Sequence, residues 1–183
     1  MTRALASTPT AGAILTARLR LLPLTPRDAA EMVDVLGDPR LHEFIGGRPA
    51  TLPELAARYR RLAIGRSSDG AEAWHNWVVR THPAREAVGT VQATVTDHGR
   101  TAEIAWVIGV SWRRRGFGSE AARALVEWLR RRGVETIEAH VHPGHVASET
   151  VARRAGLVVT QEWIDGERVW RWRGSAAWRQ ALG

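Results

Sequence analysis

The chain has 183 residues, of which 44% are hydrophobic and 25% charged, enough apolar material for one packed core. It has no cysteine, which excludes disulfides and thiolate zinc sites, and no apolar run approaches the ~20 residues of a membrane span. Its 26 Lys and Arg against 19 Asp and Glu give a net charge of +7, a balance that suits an anionic cofactor, a nucleic acid or an acidic protein as well as a plainly solvated face.

Residues 1–13 lack the apolar stretch of a secretory signal and read as a flexible N-terminal tail. A cytoplasmic protein with a single domain over residues 14–183 is expected. Residues 14–24 alternate in part between apolar and polar and predict a strand. Thr25 and Pro26 form a helix-start pair, and the helix they open runs to Leu36 before Gly37. A short piece around residues 41–45 and a Gly-Gly turn precede a second helix over 52–64, with Leu55, Tyr59 and Leu62 on one face.

Three strands follow, over 74–80, 87–96 and 103–110, separated by turn signals at His82-Pro83 and Asp97-His98-Gly99. A helix is predicted over 119–132, its face made by Ala121, Ala122, Leu125 and Leu129. A strand over 136–141 points Ile137, Ala139 and Val141 one way and Glu138 and His140 the other. A short helix over 146–155 and a hairpin of 157–163 with 167–172 complete the chain. The order predicts a mixed α/β fold with a largely antiparallel sheet.

The most informative stretch is Arg113-Arg114-Arg115-Gly116-Phe117-Gly118-Ser119, where a strand runs into Arg-x-x-Gly-x-Gly and a helix opens. A helix start offers unpaired N–H groups and a positive dipole end, glycine lets backbone approach an anion, and arginine adds forked donors. Alone, the motif leaves two readings open: an anion site, or a tight turn on a basic surface. No Gly-Lys-Ser/Thr follows, against a P-loop, and the loop comes after an antiparallel meander, against a Rossmann site.

The run from Glu103 to Leu157 resembles the core of the GCN5-related N-acetyltransferase (GNAT) superfamily, in which Gln/Arg-x-x-Gly-x-Gly/Ala binds the CoA pyrophosphate. Residues 15–29 (LTARLRLLPLTPRDA) and 146–157 (VASETVARRAGL) are similar to its RimJ/RimL-like branch. The resemblance implies about seven strands and about four helices, with two central strands splaying apart near Gly109 and His142. It implies that acetyl-CoA lies in the gap, its pantetheine arm against the backbone of Trp106, Val107 and Ile108 and its pyrophosphate on N–H groups from Arg114 to Ser119. It implies no metal. Two positions depart from the pattern: His145 stands where the superfamily usually has an Asn that touches CoA, and the frequent general-acid Tyr is missing, the only tyrosine being Tyr59. RimJ/RimL-like proteins place a serine in that role, and Ser148 matches it.

The implied reaction is acetyl transfer from acetyl-CoA to an amine. It needs a base for the amine proton and a proton donor for the thiolate. Ser148 is the candidate donor, while Glu103 (through water) and His140 are candidate bases. His140, His142 and His145 straddle a turn with no carboxylate at helical offset, a poor metal pattern. The expected partner is an amine acceptor, a small molecule or a peptide N-terminus, seated against residues 39–61 and the final hairpin. Trp74, Trp77 and Trp106 are candidates for a wall of the cleft. Membrane and nucleic acid are not expected as partners, and a homodimer is left open. The competing readings are a longer acyl-CoA or an acyl-carrier protein as donor, and a catalytically silent acyl-CoA-binding domain.

Overall fold

The computed structural model describes residues 11–173. Its sheet has eight strands: β1 (Ile14–Leu15), β2 (Leu19–Pro23), β3 (Ala73–Thr81), β4 (Ala87–Thr96), β5 (Thr101–Ile108), β6 (Thr136–Val141), β7 (Val158–Ile164) and β8 (Glu167–Arg173). Their spatial order is β1-β2-β3-β4-β5-β6-β8-β7, and every neighbouring pair is antiparallel except β5 with β6. The helices are α1 (Ala29–Val35), α2 (His42–Ile45), α3 (Leu52–Leu62), α4 (Phe117–Arg130) and α5 (Val146–Arg154).

The mixed, largely antiparallel fold is the expected one, with two refinements. The strand foreseen over 14–24 is two strands, because Thr16 turns the chain: its Oγ1 accepts from the Leu19 N–H at 2.9 Å, and its own N–H donates to the Leu19 carbonyl at 3.0 Å. The segment around 41–45 contributes a fifth, four-residue helix. Of the tail expected over 1–13, residues 1–10 lie outside the described residues. Ala11 packs into the core, and the Gly12 carbonyl accepts from Trp77 Nε1 at 3.0 Å.

Two hydrophobic layers sandwich the sheet. On one face α4 and α5 pack against Trp77, Val79, Ile104 and Ile137. Leu125 and Leu129 of α4 are fully buried there, each contributing about 1.5–3 kcal/mol of transfer free energy. On the other face α1 and α3 cover Val78 and Ala87 with Met32, Leu55 and Tyr59. A threonine answered three residues later by a carboxylate opens α3 and the 3-10 turn Pro26–Asp28 that leads into α1: the Thr51 N–H donates to Glu54 at 2.8 Å and the Thr25 N–H to Asp28 at 2.7 Å. Among the described residues, no helix is long and apolar enough to cross a membrane.

The sheet parts in its middle. β5 pairs with β4 along its whole length, from Thr101–Thr96 to Ile108–Gly89. β6 pairs with β8 along its whole length, from Thr136–Arg173 to Val141–Arg168. Between them β5 and β6 share only Thr101–Thr136, Ala102–Ile137 and Glu103–Glu138. Each central strand thus follows its other partner, and beyond Glu103 the two diverge.

Candidate active site

The divergence opens a cleft of about 730 Å³. One wall is β5 from Glu103 to Ile108, the opposite wall His140 to His142, and α4 and α5 close the ends. Past Glu103, β5 has a hydrogen-bonded neighbour on its β4 side only. The N–H and C=O groups that point away from β4 over residues 104–108 therefore face the cleft and await partners. Trp106, Val107 and Ile108 all line it.

At the floor, β5 leaves through Gly109 into a 3-10 turn over Val110–Trp112, and α4 begins at Phe117, two residues earlier than the sequence pattern predicts. The reason is Gly116, which caps the helix in the left-handed region at φ 80°, a conformation glycine adopts without steric cost. Arg114 is also left-handed, at φ 64°. Alternating left-handed residues turn successive N–H groups toward one side, the concave shape that holds anions. Gly118 is buried, and a Cβ there would stand 3.2 Å from Val151 Cγ2 and 3.4 Å from Ile108 Cγ1, so glycine is what allows α4, α5 and β5 to meet.

Arg113, Arg114, Gly116, Phe117, Gly118 and Ser119 line the cleft. Arg115 does not: its guanidinium turns away to lie over the Trp112 ring at 4.9 Å. The loop is strapped instead by Arg18, which sequence reading did not single out. Arg18 Nη1 donates to the Arg115 carbonyl at 3.1 Å, its guanidinium covers the Phe117 ring at 5.2 Å, and its Nε and Nη2 reach Glu120. Glu120 sits in the first turn of α4 and also accepts from Thr16 Oγ1 at 2.6 Å. Partial burial opposes its charge, but the hydrogen bonds from Thr16 and Arg18 outweigh that and hold its pKa below the ordinary carboxylate value.

Ser148, Glu103 and His140 all line the same cleft. Ser148 is the third residue of α5, half-buried, and its hydroxyl makes no hydrogen bond among the described residues; the helix cap is His145. Ser148 is therefore free to meet a ligand. His140 Nδ1 lies 3.7 Å from Glu103 Oε1, in ion-pair range though longer than a hydrogen bond, while its Nε2 is buried without a partner. His145 stacks flat on Phe44, with centroids 4.1 Å apart and planes 3° apart. Burial, with the nearby Arg113 and His142 charges, lowers the His145 pKa, so the ring is neutral near pH 7.

Leu41 and Phe44 from the segment around α2, and Glu167 from the final hairpin, complete the lining. Of the three tryptophans considered for a wall, only Trp106 belongs to it. Trp77 is fully buried, and Trp74 donates its Nε1–H to Glu72 at 2.7 Å on the α1/α3 face. The Trp170 and Trp172 rings lie under the guanidinium groups of Arg153 and Arg130. Tyr59, on the buried face of α3, lies outside the cleft. Among the described residues, no three His, Asp or Glu side chains are grouped to hold a metal ion.

The acetyltransferase (GNAT) domain family matches residues 18–158. No curated protein matches the chain. Among solved structures, RimL, a ribosomal L7/L12 alpha-N-protein acetyltransferase in complex with coenzyme A, is similar over 90% of this chain and 99% of its own, with a TM-score of 0.75 at 16% identity. An acetyltransferase of Salmonella typhimurium that modifies the N-terminal serine of L7/L12 is similar over 89% and 99%, with a TM-score of 0.73 at 15% identity. The aminoglycoside acetyltransferase AAC(6')-Ib, in complex with paromomycin and acetyl-CoA, is similar over 90% and 98%, with a TM-score of 0.69 at 22% identity.

Proposed function

The chain belongs to the GNAT acetyltransferase family, and from that premise we propose that it transfers the acetyl group of acetyl-CoA to a primary amine by direct attack on the thioester. The observation that carries this reading is the parting of β5 and β6 over the glycine loop at the start of α4. One cleft thereby offers unpaired strand backbone for an extended amide-bearing arm and a helix N-terminus for a pyrophosphate.

In this reading the sheet from residue 14 onward serves one catalytic unit. The pyrophosphate lies against N–H groups of Arg114 to Ser119, with Arg113 and Arg114 adding charge. The pantetheine amides pair with backbone of Trp106 to Ile108. His145 replaces the family's asparagine with a neutral ring held flat on Phe44, supplying one hydrogen bond where an amide supplies a donor and an acceptor.

Glu103, more than half exposed, attracts the ammonium form of the acceptor, and His140 takes the proton that the amine must lose. Glu103 beside Nδ1 favours the tautomer that carries its proton there, leaving the lone pair on Nε2. The amine nitrogen then bonds to the thioester carbon, the C–S bond breaks, the thiolate takes the Ser148 hydroxyl proton, and the remaining surplus proton on nitrogen passes to the Ser148 oxygen, leaving an amide, a free thiol and an intact serine. The acceptor is a compact amine or a peptide N-terminus.

The test is release of free thiol from acetyl-CoA in the presence of a panel of amines and peptides. Amine-dependent release confirms the reading. Coenzyme A binding with no release for any amine overturns it in favour of a silent binding domain.

A further inference from the structure

Beside the main cleft lies a second cavity of about 150 Å³, roofed by α3 and flanked by α1. Its floor is the sheet face carrying Asn76, Thr90 and Gln92, with Asn76 opposite Gln92 and Thr90 opposite Val107. Leu41 and Val107 line both cavities and so mark where the two adjoin.

The two cavities differ in charge: two carboxylates line the main cleft together with Arg113, Arg114 and Arg154, whereas none lines the second cavity. Around the reacting end of the main cleft stand Glu103 and Glu167 with His140. The second cavity is walled mainly by leucine and valine, and its titratable side chains are His42, Arg48, Arg58 and Tyr59, with no Asp or Glu. Arg48 is already committed to Glu54, at 3.0 and 2.6 Å. Arg58 makes no ion pair among the described residues, so its charge is available to a ligand. Tyr59 is 2% exposed, and its hydroxyl is buried without a partner. Burial, followed by the Asp28 charge, pushes its pKa up to about 12, which keeps it a neutral phenol able to donate a hydrogen bond.

Building on the acetyl-transfer reading, we propose that the second cavity is the subsite for the far end of the acceptor, and that the acceptor is an amine bearing a carboxylate on a short apolar arm. Its ammonium is drawn to Glu103 at the cleft, its arm passes Leu41 and Val107, and its carboxylate meets Arg58. A second ammonium in that position would lose its water to leucine and valine and meet no carboxylate in the lining, so polycationic amines are disfavoured. The carboxylate arm can belong to a free amino acid or to an acidic side chain near a peptide N-terminus, and the experiment separates the two.

The experiment measures kcat/KM from thiol release with acetyl-CoA. One arm compares ε-aminocaproate with its amide and with cadaverine. The other compares two short peptides that differ only by Glu or Gln at the second position. In at least one arm the carboxylate should exceed its amide by roughly tenfold or more, the worth of one charged hydrogen bond, and that arm names the source. Arg58→Gln should bring the ratio close to one, and Arg58→Lys should keep part of it. A wild-type ratio near one in both arms, or a ratio that Arg58→Gln leaves intact, overturns the proposal. Absence of thiol release with every amine overturns the acetyl-transfer reading instead.

Discussion

Arg18 and Glu120, 102 positions apart in sequence, face each other across the start of α4, with Arg18 Nε 2.7 Å and Nη2 2.6 Å from Glu120 Oε2 and the Arg18 N–H 3.0 Å from Oε1. The carboxylate occupies the helix turn that the proposed site offers to a pyrophosphate, so its charge would repel that ligand unless answered. Arg18 answers it and ties the same loop through the Arg115 carbonyl.

Arg18→Ala should therefore weaken coenzyme A binding by roughly tenfold, from one lost charged contact and one exposed like charge. Adding Glu120→Gln to that variant should restore part of the affinity, because the repulsion goes while the strap stays lost. Titration calorimetry on the two variants checks this. A double variant no tighter than Arg18→Ala would show that Arg18 acts only as a strap.

Glu120 also gives a pH dependence of stability. Its folded pKa is depressed below 4.5, so its ion pair stabilises the fold above that value and the contribution is lost as pH falls through the folded pKa. Wild-type stability should drop in that acidic window more steeply than that of Glu120→Gln. Denaturant unfolding across the window measures the difference, and parallel curves would contradict it.

Gly116→Val should abolish coenzyme A binding in a folded protein, since a β-branched residue at φ 80° is strained and narrows the backbone concavity. Gly116→Asn, which tolerates the left-handed region, should retain more. Unchanged affinity in a well-folded valine variant would move the pyrophosphate elsewhere.

Ser148→Ala should lower kcat at least about tenfold while changing coenzyme A affinity less than twofold, because a donor to the leaving thiolate acts in the transition state. Equal effects on kcat and on affinity would make Ser148 a binding residue only.

His140→Gln should lower kcat/KM and flatten the acidic limb of the pH–rate profile. Glu103→Gln should leave the limb in place and reduce the rate less, since it acts through the ring and on the incoming ammonium. A profile of unchanged shape in His140→Gln would shift the base role to Glu103 through water.

Much of this was legible from local patterns. The Thr-Pro start of the first helix, the alternation of Ile137, Ala139 and Val141, and the Arg-x-x-Gly-x-Gly turn each depend on residues within a few positions of one another, so the sequence displays them directly. The departure of His145 and the position of Ser148 came instead from the resemblance to the GNAT pattern.

What the sequence could not display were relations set by packing across the chain. The parting of β5 from β6 after three residue pairs follows from each strand's longer ladder with its other neighbour. The start of α4 at Phe117 follows from a left-handed Gly116 beside the Arg18 guanidinium, and Trp77 and Trp74, alike in sequence context, separate into core and surface by the layer that covers each. Arg18 against Glu120, His145 on Phe44 and Leu41 between two cavities join elements whose separation in sequence carries no trace of their contact. Periodicity fixes which face of an element is apolar, but which element covers that face, and what is left open between them, is decided only when the layers close.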